Sequence, residues 1–65
     1  MNLIEGLQEE LNRNRKILLT YEAVPSGVFG ATMISQAITA GESAISEGDT
    51  VAMIRALKEL KETQE

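Results

Sequence analysis

The sequence predicts an all-α fold, an antiparallel helical hairpin joined by a shorter third helix and assembling as a helical homo-oligomer. Three observations lead there. Apolar residues recur at helical spacing along most of the chain. Helix-breaking signals fall at only two places, the VPSG of residues 24–27 and the Gly48–Asp49 pair. With 65 residues there is room for one domain, whose small core barely offsets the entropy of ordering it. Cysteine and histidine are both absent, so disulfides are impossible and the usual zinc ligands are missing. Apolar residues make up 43% of the chain, too many for a disordered tail. Self-association is the stabiliser that the composition leaves.

The first helix is predicted over residues 2–23. Its end follows from Val24, which precedes a proline and is biased away from helical geometry. Leu3, Ile4, Leu7, Leu11, Leu18 and Tyr21 project as one stripe, with Asn14 in its middle. A lone Asn in an apolar seam can fix register or oligomer state, and Glu10, one turn earlier, is its expected hydrogen-bond partner. The run NRNRK at 12–16 puts three positive charges into five residues. They do not form one patch. Arg13 and Lys16 fall on the far side, Arg15 falls near the stripe's edge, and Glu9 is spaced to pair with Arg13.

The second helix is predicted over 28–47, stopped by Gly48. Its apolar arc, about 200° wide, exceeds what one neighbour needs. Gly30, Ala37, Gly41 and Ala44 form a small-residue ridge between Ile34, Ile38 and Ile45 on one flank and Phe29 and Met33 on the other. Two flanks suggest two neighbours, the first helix and a helix of another chain. The subunit-interface set expected from this is Leu7, Leu11, Asn14, Leu18, Met33, Ala37, Gly41 and Ala44. The remaining face carries Thr32, Ser35, Gln36, Thr39, Ser43 and Ser46. It is uncharged until Glu42 and Glu47, where an ordinary solvent face would carry Lys and Glu. The third helix is predicted over 50–63, capped by Asp49. Met53, Ile54, Ala56, Leu57 and Leu60 lie on its apolar side, and Arg55, Lys58, Glu59 and Glu62 on the other, as in a lid over the hairpin or a partner.

Charge and composition narrow the function. A net charge of −4 and a pI near 4.7 argue against a DNA or RNA partner, which requires a positive field to displace counterions. The start MNLIEGLQEE has acids where a signal peptide has basic residues. Residues 23–41 are uncharged but too rich in Ser, Thr, Gln and Pro for a membrane span. The expected location is therefore the cytoplasm, away from any membrane. Without His or Cys, and with serines that have no activating partner in any motif, the sequence reads as no enzyme, with no metal and no cofactor.

The segment YEAVPSGVFGATM, 21–33, is the candidate ligand site. The start of a helix presents free N–H groups and a positive dipole end. Gly27 and Gly30 would let an anion approach the backbone. Ser26 and Thr32 add hydroxyls, and Tyr21 or Phe29 could stack on a base. Positive charge would come from Arg15 or Lys16 of a neighbouring subunit. The segment matches neither a Walker A loop nor a dinucleotide fingerprint, and an interhelical turn calls for much the same residues.

The runs GVFGATMISQAI and AISEGDTVAMIRALKEL, after the start MNLIEGLQEELNRNR, resemble short proteins encoded in bacteriophage genomes and prophages. The likeness covers almost the whole chain and carries over no catalytic residues. At the level of class, the chain is similar to small non-enzymatic helical oligomers that phages turn against their hosts, some sequestering cyclic-nucleotide signals of antiviral defence and others blocking host proteins. It shares no motif with a characterised sponge protein. The resemblance implies a counter-defence protein that sequesters a small anionic ligand, such as a cyclic nucleotide second messenger, at an interchain site in the host cytoplasm. The alternatives are a protein-binding module acting on a host protein, or a structural or assembly helper.

Overall fold

The computed structural model describes residues 2–64. Among them it is all-helical, with α1 at Leu3–Glu22, a 3₁₀ turn at Pro25–Gly27, α2 at Val28–Glu47 and α3 at Thr50–Glu62. The boundaries follow local chemistry. The Asn2 side chain accepts a hydrogen bond from the Glu5 N–H at 2.8 Å, and the Asp49 side chain accepts one from the Ala52 N–H at 3.1 Å. Val24 is extended at φ −109° and ψ 121°, as a residue before proline should be. Gly48 ends α2 in the left-handed region at φ 68°, where a side chain would be strained.

The helices run up, down and up, in a bundle of 35 × 19 × 16 Å. Leu7 and Leu11 of α1 meet Gly41, and Tyr21 meets Gly30, so α1 and α2 are antiparallel. Arg13 and Asn14 reach Leu60, and Tyr21 reaches Gln64, so α3 runs parallel to α1. The core is Leu7, Leu11 and Ile17 from α1, Ile34, Ala37, Ile38 and Ala44 from α2, and Met53, Ala56 and Leu60 from α3. Fully burying a leucine stabilises the fold by about 1.5–3 kcal/mol, which makes Leu7, Leu11 and Leu60 the strongest individual anchors.

The small-residue ridge of α2 has both its neighbours inside one chain. A Cβ added at Gly41 would sit 3.0 Å from Leu11 Cδ2, 3.5 Å from Leu60 Cδ1 and 3.6 Å from Leu7 Cδ1. The small-residue ridge thus receives α1 and α3 together. This corrects the expected subunit interface. Leu7, Leu11, Asn14, Ala37, Gly41 and Ala44 are buried in the chain's own core, and Leu18 packs against it half-buried. Of that set only Met33 is exposed. The physical reason is that α1 and α3 share the small-residue ridge, while the Phe29 and Met33 flank stays exposed.

Two stripes shift in consequence. Ile17 is buried and Ile4 is 48% exposed, because the seam facing both neighbours passes through Leu7, Leu11, Asn14 and Ile17. Ile4 instead borders a depression at the bundle's end with Leu3, Thr50 and Met53. On α3, Ile54 is exposed and Leu57 half-buried, and the packed face is Met53, Ala56 and Leu60. Among the described residues, no helix is long and apolar enough to cross a membrane.

Candidate functional site

The turn between α1 and α2 was the expected ligand site, and the chain itself fills much of it. Tyr21 half-buries its ring against α2, and a Cβ at Gly30 would lie 2.6 Å from ring atoms Cδ2 and Cε2. A Cβ at Gly27 would collide with the Tyr21 carbonyl oxygen. Both glycines are therefore needed for packing against Tyr21, which is a sufficient reason for their smallness. The Tyr21 hydroxyl donates to the Gln64 carbonyl at 3.0 Å. The Thr32 hydroxyl donates to the Val28 carbonyl of its own helix at 3.0 Å. Ser26 is exposed on the 3₁₀ turn. Gly27 caps α2 without a side-chain hydrogen bond.

Two open clefts border Tyr21. One, of about 560 Å³, lies between α2 and α3, and its charged lining is Glu59 and Glu62. The other, of about 510 Å³, lies along the start of α2, and its charged lining is Glu22. Carboxylates at both clefts set the wrong field for an anion. Phe29, the second expected stacking residue, lines neither.

The expected cations are differently disposed. Arg15 pairs with Glu42 at 2.8 Å and donates to the Asn12 side-chain oxygen at 2.9 Å. Lys16 is exposed. Arg13 is not on a far, solvated face. It pairs with Glu10 at 2.9 Å rather than with Glu9, and its guanidinium donates to the carbonyls of Leu60 at 2.8 Å and Thr63 at 3.1 Å. Glu10 and Arg13 both lean toward α3, which is why the i,i+3 pair forms in preference to the i,i+4 pair.

Asn14 completes this clamp. It is 0% exposed, and its Nδ2 donates to the Glu10 carbonyl at 2.8 Å and the Leu60 carbonyl at 3.1 Å. The partner from Glu10 is thus the backbone oxygen. Asn14 Oδ1 is buried with no hydrogen-bond partner among the described residues. The last carbonyls of a helix have no intrahelical donors, and a cation there suits the helix dipole. Arg13 and Asn14 of α1 together cap the end of α3.

What α2 turns outward is different in kind. Val28 is 68% exposed, Phe29 78% and Met33 57%. Thr32, Gln36, Thr39, Ala40 and Ser43 continue the exposed face, and no charge occurs between Val28 and Gly41. By contrast α1 exposes Glu5, Glu9 and Lys16, and α3 exposes Arg55, Lys58, Glu59 and Lys61. Phe29 and Met33 of the apolar flank and Gln36 of the polar face share one exposed surface. The charge-free run of α2 was the signal in the sequence that pointed to it. Among the described residues, no group of carboxylates could hold a metal ion. Comparison of the chain with protein-family models, with curated proteins and with solved structures gives no match in any of the three.

Proposed function

We propose that this chain is a non-enzymatic helical interaction module that works by binding another protein through the outer face of α2. One observation carries the reading: Phe29 and Met33 are largely exposed on a helix that bears no charge from Val28 to Gly41. Covering such a face removes apolar area from water, at about 25 cal/mol per Å², without stripping water from ions. The faces of α1 and α3 carry charges that would have to be desolvated. Sequestration of an anionic nucleotide at the α1–α2 turn is the weaker proposal, because the clefts there are lined by Glu22, Glu59 and Glu62 and Arg15 is paired within the chain.

A photoreactive side chain placed at position 36, in cells that make the protein, tests the reading. Position 36 should give a protein adduct, and the same side chain at position 58, on the exposed face of α3, should not. Absence of an adduct at 36, or equal adducts at both positions, overturns it. Calorimetry against cyclic and linear nucleotides is the companion test, and a stoichiometric heat lost in Tyr21→Ala would put the nucleotide proposal first.

A further inference from the structure

We infer that the partner seated on this face is α2 of a second copy of the chain, packed antiparallel about a two-fold axis near Gln36. The inference rests on the protein-binding reading above and names its occupant. Two features support it.

The first is the distribution of bulk. The exposed face is large in its first half, with Val28, Phe29 and Met33, and small in its second, with Thr39, Ala40 and Ser43. Phe29, Gln36 and Ser43 are spaced seven apart, as are Met33 and Ala40, so both sets repeat on one side of the helix. With Gln36 at the axis, antiparallel pairing puts Phe29 opposite Ser43 and Met33 opposite Thr39. Large side chains then meet small ones along the whole contact, as close helix packing at about 8–10 Å between axes requires. Parallel pairing would stack Phe29 on Phe29 and leave a gap at Ala40 and Ser43. The two Gln36 amides, facing each other, can each donate an N–H to the other's oxygen. An interface in which one patch faces itself is the form that a two-fold dimer takes.

The second is net charge. Each copy carries −4, so two copies repel, and they approach at least cost where neither buries a charge. The stretch from Val28 to Gly41 meets that condition, whereas the exposed faces of α1 and α3 carry charged residues.

Light scattering on the full chain, from micromolar to submillimolar concentration, should give twice the single-chain mass of 7.1 kDa. Phe29→Glu should raise the dissociation constant at least about thirtyfold with unchanged helicity, as loss of a large apolar anchor does. The chain has no cysteine, so single introduced thiols report orientation. Gln36→Cys should oxidise to a cross-linked dimer. Phe29→Cys alone should not, because two copies of residue 29 would lie about 20 Å apart along the helices, but it should cross-link when mixed with Ser43→Cys. Cross-linking of Phe29→Cys to itself, or a mass above that of a dimer, overturns the arrangement. A monomer at every concentration that still gives a protein adduct at position 36 overturns the self-pairing and leaves the protein-binding reading standing. A monomer with no adduct overturns both.

Discussion

Where α1 runs beside α3, polar groups turn inward: buried Asn14 and half-buried Arg13 donate into the last carbonyls of α3. On the outer face of α2 the situation is reversed, with Phe29 and Met33 in solvent among Thr, Ser and Gln. Each region departs from the simple rule that apolar residues go in and polar residues go out. The seam's departure concerns specificity within the chain. A purely apolar α1–α3 contact could slide by a turn, whereas a donor pair aimed at the Leu60 carbonyl fixes one register. The departure on α2 adds nothing to the single chain's fold and leaves an exposed apolar face, on which the protein-binding proposal rests.

This contrast can be broken from the seam side first. Leu11→Ala should cost about 2–5 kcal/mol, a large share of the stability of so small a domain. Urea unfolding followed by circular dichroism would measure it, and a loss below 1 kcal/mol would mean that the three helices do not share this core. Asn14→Ala removes two hydrogen bonds to backbone carbonyls, one of them buried, and leaves a cavity, for an expected loss of about 1–3 kcal/mol. Faster amide hydrogen exchange at the end of α3 than at its start should accompany the loss. Uniform acceleration along α3 would remove the capping role from Asn14.

Smaller effects sharpen the other side. Arg15→Ala breaks an ion pair between two exposed side chains and should cost at most about 1 kcal/mol, less at high salt. A larger, salt-independent loss would show that the pair organises the α1–α2 contact. Phe29→Glu should change the stability of the isolated chain by no more than about 0.5 kcal/mol, since the side chain is largely solvated there. Measured at concentrations low enough to keep the chain monomeric, a loss of several kcal/mol would place Phe29 in the core.

The helices themselves were legible because their signals are local. Asn2, Asp49, the Val24–Pro25 step and Gly48 each fix a boundary through their own backbone and side-chain chemistry. The anion site was less legible. Tyr21, Gly27 and Gly30 read equally as an aromatic beside a phosphate cradle and as an aromatic that needs two glycines to lie down. The structure gives the second use, because the ring rests on Gly30 and the Gly27 position is closed by the Tyr21 carbonyl.

By itself, then, the sequence determined the all-α class and the places where each helix starts and stops, because caps and breakers act within a few residues. Only the tertiary structure decided what covers each apolar side. Periodicity shows that α2 needs two neighbours but not which ones, and in the structure α1 and α3 share its ridge while the flank expected to meet another subunit stays exposed. With α3 there, Ile17 replaced Ile4 in the seam, Arg13 turned inward to cap a helix 47 residues away in the chain, and Phe29 and Met33 were left outside. These outcomes depend on contacts between residues far apart in sequence, which no local pattern encodes.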